Sequence, residues 1–174
     1  MRQSILRYFI SLLLVSLCIC SATSIFIISG SMKEDSEREM MYSVKLIEYN
    51  LDYSKDLNTQ IETLNPLAFS DDTRISIIDE KGKVLADTYK NDISSNHLKR
   101  EEVQQALHSS NHEGYAMRRS ETTNQPLLYA AYYKDTHIIR LSIPYSGVWG
   151  YFPELAPAFA ISILISILFS YIVA

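Results

Sequence analysis

Cysteine is nearly absent from this sequence, and its two copies, Cys18 and Cys20, both fall in the first apolar run. The middle of the chain therefore has no disulfide and no thiolate for a metal. Charge is missing from both ends: no acidic residue precedes Glu34, and no charge of either sign follows Glu154. No cluster of five Lys or Arg occurs and the formal net charge is −4, which excludes the electrostatic footprint of a nucleic-acid binder. There is no Gly-rich phosphate loop, no Gly-x-Ser-x-Gly and no acid pair at a catalytic spacing, so no enzymatic chemistry is expected of these residues. His112-Glu113 is followed by Gly114-Tyr115-Ala116-Met117 without the proline of a phosphoacceptor motif. His108 and His112, four apart, lack a third ligand for zinc.

What is present is segregated. Residues 8–29, YFISLLLVSLCICSATSIFIIS, carry no charge. At 1.5 Å per residue, about 20 such residues cross a ~30 Å hydrocarbon core. Arg2 and Arg7 precede the run and Lys33-Glu34-Asp35 follow it, which predicts a cytoplasmic N-terminus, residues 1–7, and an external middle. The run continues through Ile25-Phe26-Ile27-Ile28, past the small residues Ser21-Ala22-Thr23, so it is longer than a signal-peptide core and is expected to stay uncleaved. Residues 155–174, LAPAFAISILISILFSYIVA, form the second uncharged run and the second expected span, with Pro153 and Pro157 near its start. No basic residue follows it, and a cytoplasmic continuation is expected. Small residues recur at helical spacing in both runs, Ser16, Cys20 and Ser24 in the first and Ala158, Ser162, Ser166 and Ser170 in the second. They are candidates for helix packing in lipid.

Residues 30–154 are expected to fold as one domain, large enough at about 125 residues to be stabilised by its core alone. Met40, Val44, Ile47 and Leu51, then Leu57, Ile61 and Leu64, predict a long amphipathic helix over 31–65, ended by Pro66. RISIID at 74–79 and KVLAD at 83–87, joined by Glu80-Lys81-Gly82, predict a hairpin. A polar loop leads to a short helix over 99–108, with Glu101 and Glu102 near its N-terminus and His97 placed to cap or orient it. Strands are expected at 114–120, 127–134 and 137–144, with a turn from Thr122 to Pro126. The fold class is α+β on a single antiparallel sheet, with a long N-terminal helix.

The ordered set SIIDEKGKVLADT (76–88), NHLKREEVQQAL (96–107), GYAMRRSETTNQPLLYAAYY (114–133) and IIRLSIP (138–144) resembles the extracytoplasmic sensor region of phosphate-regulon-type bacterial sensor histidine kinases. The resemblance covers most of residues 40–150 and the flanking spans. It implies a PAS-like fold of the single-Cache kind, a homodimer in the bacterial plasma membrane, an unknown extracellular cue, and a two-component output to a cytoplasmic response regulator. ATP and magnesium would serve a kinase part beyond these residues; no cofactor is expected in this chain. Where the family often has Arg-Tyr-Ser, this chain has Arg118-Arg119-Ser120. Candidate ligand contacts are Arg119, Tyr129 and Tyr132 on the late strands, and strand alternation puts Arg118 and Arg119 on opposite faces. The same layout also precedes chemoreceptor and diguanylate cyclase outputs, and a membrane-anchored binding protein without signalling is a further class.

Overall fold

A computed structural model of the chain describes residues 2–70, 72–89, 96–120 and 124–173. The chain divides into two compact units, one of residues 1–33 with 146–174 and one of residues 34–145.

Helix α1 spans Arg2–Asn50 without interruption. Among the described residues it holds the one stretch, Val15–Asn50, long and apolar enough to cross a membrane. Its distal part is amphipathic, as the periodicity predicts: Met40, Val44 and Ile47 are fully buried, while Tyr42 and Tyr49 on the other side are exposed.

The single long helix predicted over 31–65 is corrected here. α1 stops at Asn50, and α2 (Leu57–Leu64) begins after a break, followed by a short 3₁₀ turn, Asn65–Leu67, at Pro66. Two aspartates explain the break. Asp52 turns its carboxylate onto the backbone N–H (3.1 Å) and hydroxyl (2.6 Å) of Ser54. Those contacts, with Lys55 beside them, hold the Asp52 carboxyl down to about 2. Asp56 accepts from the Thr59 N–H at 2.8 Å and caps α2. Short acidic side chains offer the backbone this alternative to helical bonding.

The rest of the unit is a five-stranded antiparallel sheet in the order β2-β1-β5-β4-β3. Its strands are β1 (Arg74–Asp79), β2 (Val84–Asp87), β3 (Glu113–Arg119), β4 (Pro126–Lys134) and β5 (His137–Pro144), with α3 (Glu101–His108) between β2 and β3. The α+β architecture predicted from the sequence is the observed one. The predicted turn over 122–126 and the polar loop after Asp87 fall partly on residues 121–123 and 90–95, outside the described residues.

Each sheet face has its own cover. Ile75, Ile77, Leu128, Ala130, Ile139, Leu141 and Ile143 share one core cluster with Met40, Met41, Val44 and Ile47 of α1 and Ile61 of α2. Ile78, Ala131 and Ile138 cluster with Val103 and Ala106 of α3 on the other face. Gly114 permits this second contact. A Cβ there would lie 2.0 Å from the Glu102 carbonyl and 2.7 Å from the Ala106 nitrogen, both backbone atoms. Gly114→Ala is therefore expected to push α3 away from β3 and to cost about 1–3 kcal/mol, measured by urea unfolding of the chain in detergent micelles. Unchanged stability would mean that α3 is not packed this closely.

Candidate functional site

The α3 side of the sheet carries charge where a core would ordinarily be apolar. Glu102 stands in the first turn of α3 and is 0% exposed. Its carboxylate receives both arms of Arg118 from β3, Nη1 at 2.6 Å and Nη2 at 2.9 Å. Arg140, on the central strand β5 and 4% exposed, brings its Nε to 3.0 Å from Glu102 Oε1. The angle there makes no hydrogen bond, so Arg140 Nε is a buried donor without an acceptor among the described residues.

Tyr129 of β4 lies against both cations. Arg118 sits 3.7 Å from its ring centroid and Arg140 sits 4.7 Å away. The register places Tyr129 opposite Ala116 and Ser142, so the ring projects from the same face as Arg118 and Arg140. The ring quadrupole attracts both guanidinium groups and reduces the cost of holding them together. Burial alone would raise the Glu102 carboxyl; the Arg118 hydrogen bond and the charges of Arg140 and Arg118 outweigh it and hold the group below its usual value. Burial pushes the Arg140 guanidinium down, against the pull of Glu102, and it stays charged at neutral pH.

His97 completes the cluster. Its Nδ1 lies 2.8 Å from Arg140 Nη1. A guanidinium only donates, so Nδ1 is the acceptor and the ring proton of this contact resides on Nε2. The β1–β2 turn positions His97: Gly82, at φ 82°, accepts the His97 N–H at 2.7 Å, and a Cβ on Gly82 would strike the Leu98 nitrogen at 2.3 Å. Of the expectation that His97 caps or orients the short helix, the capping half is corrected. α3 begins after Arg100 with no side-chain cap, and the His97 ring points into the sheet face instead.

A second ion pair lies nearer the β2 edge. Arg74 forks onto Asp87 through Nε and Nη2, each at 2.9 Å, and Ser76 donates to the same carboxylate at 2.8 Å.

Of the three ligand contacts expected from the sequence, the structure brings only Tyr129 to this cluster. Arg119 is exposed and donates to the Asn124 carbonyl at 3.0 Å, on the opposite face from Arg118 as alternation requires. Tyr132 faces α1, with Lys45 Nζ 5.2 Å from its ring centroid. Ser16, Cys20, Ser24, Ala158 and Ser162 are exposed on their helices; the side chains of Ser166 and Ser170 lie outside the described residues. Sequence reading missed Glu102, Arg118 and Arg140 as a group. One signal was available: Glu102 lies four residues before Ala106, on the apolar stripe of α3, where a carboxylate needs a buried partner.

No family model matches the sequence, and no curated protein matches it. Among solved structures, the chain is similar to the Bacillus subtilis YkuI protein with an EAL domain, in complex with substrate c-di-GMP and calcium, at 18% identity and a TM-score of 0.52, over 74% of this chain and 36% of that one. A methyl-accepting chemotaxis protein from Vibrio parahaemolyticus matches at 18% identity and a TM-score of 0.49, over 71% and 97%. The ligand-binding domain of the Campylobacter jejuni chemoreceptor Tlp3, in complex with 4-methylisoleucine, matches at 16% identity and 0.48, over 69% and 55%. At such identities the YkuI likeness establishes a shared fold and nothing further, and this chain spans 36% of that protein's length.

Proposed function

We propose that this chain is the sensing module of a two-pass bacterial membrane receptor whose output is a histidine kinase acting on a response regulator. Residues 8–29 and 155–174 are the spans, the N-terminus is cytoplasmic, and residues 30–154 face outward. The receptor works as a homodimer, with Ser16, Cys20, Ser24, Ala158, Ser162, Ser166 and Ser170 as packing positions in lipid. ATP and magnesium belong to the kinase part.

The observation that carries this reading is the continuity of α1. One helix includes the charge-free run of residues 8–29 and the fully buried Met40, Val44 and Ile47 of the domain core. A change in how the sheet packs on those three side chains is covalently linked to the membrane segment. A cue shifts such a module only by binding one packing better than another. The charged cluster around Tyr129 supports the α3 face as the place where this happens: among the described residues the buried Arg140 Nε, though 3.0 Å from Glu102 Oε1, has no hydrogen-bond acceptor, and an incoming acceptor group would favour an altered arrangement.

Two measurements test this. With Cys18 and Cys20 replaced by Ala, a membrane-impermeant maleimide is expected to label Lys81→Cys in whole cells and to leave Ala174→Cys unlabelled until lysis. The reverse pattern would sink the topology. Joined at Ala174 to the cytoplasmic part of a sensor kinase, the chain is expected to change autophosphorylation about fivefold or more on Arg118→Lys, which keeps the charge but loses the fork. An unaltered rate from a folded Arg118→Lys chimera would disconnect the cluster from the output.

A further inference from the structure

The chain has a single tryptophan, Trp149. It stands in a second short 3₁₀ helix, Gly147–Tyr151, which leads directly into α4 (Phe152–Val173). Trp149 is 68% exposed, Tyr151 53%, Phe152 55% and Leu155 49%. Isolated exposed apolar side chains are ordinary, but three aromatic rings within four residues form a patch.

The backbone holds the patch in shape. A 3₁₀ helix has three residues per turn, so positions 149 and 152 stack on one edge. The Trp149 and Phe152 ring centroids are 6.3 Å apart at 49°. The turn closes tightly because Gly150 lies against Ser146, where a Cβ would meet the hydroxyl at 2.2 Å. Among the described residues, neither the indole N–H nor the Tyr151 hydroxyl has a protein hydrogen-bond partner. From Leu141 through Pro153 the sequence carries no charge, and Glu154 is the last charge before the apolar run of α4.

We infer that Trp149, Tyr151 and Phe152 form a collar that docks in the headgroup layer of the bilayer where α4 enters it. This rests on α4 being a span, as proposed above. Tyr and Trp present an apolar body and a polar tip, which suits the boundary between hydrocarbon and water. Depth agrees. The interfacial layer is about 5–7 Å thick on each side, and the three residues from Leu155 back to Phe152 rise about 4.5 Å. Phe152 then falls inside that layer; the Trp149 backbone lies about 6 Å farther out along the 3₁₀ helix, and its ring reaches back toward the layer against Phe152. Size argues for lipid over a second protein. Aromatic side chains of about 150–250 Å², half to two-thirds exposed, offer roughly 300–400 Å² here, well below the ~800 Å² per partner of a stable interface.

Because Trp149 is the only indole, the unmodified chain reports on itself. In phosphatidylcholine proteoliposomes, acyl chains brominated near the headgroup are expected to quench its fluorescence about twofold more than chains brominated near their ends. Acrylamide is expected to quench it about threefold less than free tryptophan. Emission is expected to be unchanged when the protein is diluted in lipid. Quenching by acrylamide equal to that of free tryptophan, with indifference to both lipids, would overturn the collar. So would stronger quenching by the deep bromines, or a red shift on dilution, which would mark a protein contact. The maleimide pattern at Ala174→Cys separates the two failures: a protected Ala174→Cys with Trp149 in water sinks the collar and leaves the span standing. An Ala174→Cys labelled from outside removes the span and the collar with it.

Discussion

Glu102→Ala is expected to destabilise residues 34–145 by about 3–5 kcal/mol, because it leaves Arg118 and Arg140 facing each other without their shared carboxylate. Arg140 has little recourse to solvent at 4% exposure. Urea unfolding of the full chain in micelles, followed by far-ultraviolet circular dichroism, reads the loss. A cost under about 1 kcal/mol would show that the cluster is open to water. Removing the cations as well, with Arg118→Met and Arg140→Met added to Glu102→Ala, is expected to recover much of the loss, since Met takes up most of the volume of each buried cation and no charge is left unpaired.

The same group fixes a pH dependence. The Glu102 carboxyl is held below its ordinary value in the folded chain, so its contribution is complete above the unfolded pKa of about 4.3. That contribution declines as pH falls through the lower folded value. Wild-type stability should therefore drop more steeply below about pH 4 than that of the triple variant, which lacks the carboxylate and both its cations.

Ile47→Ala is the second large effect, expected at about 2–5 kcal/mol. Ile47 is 0% exposed and belongs to the cluster shared by α1, α2 and the sheet. The rigid sheet cannot collapse fully onto the vacated volume, so a cavity term adds to the lost transfer energy. Tyr49→Ala, two residues away on the exposed side, should change stability by less than about 0.5 kcal/mol in the same assay. Equal effects at the two positions would contradict the assignment of the buried face of α1.

The contrast between Ile47 and Tyr49 was legible in the sequence, because a 3.6-residue period leaves its mark on every turn of a helix. So was the β1–β2 hairpin, where alternation in RISIID meets a glycine able to take φ 82°. The break at Leu51–Asp56 was not read. The apolar spacing slips phase there, but periodicity alone does not distinguish a slip within one helix from two helices; the aspartate side-chain contacts do. The cluster was half legible. Alternation separates Arg118 from Arg119, yet it gives only their parity. Which of the two turns inward depends on the docking of α3 against Gly114, a contact between distant segments. Glu102 and Arg140 are 38 positions apart, and only the assembled sheet order makes them neighbours.

That order also determines how the domain bears mechanical load. The chain leaves the sheet from β5, which is flanked by β1 on one side and β4 on the other. Tension directed along β5 acts on a strand gripped by two ladders, and both must slide in shear before either gives way. An edge strand would instead peel open one hydrogen bond at a time. A pull directed along β5 is therefore resisted through both of its neighbours, β1 and β4.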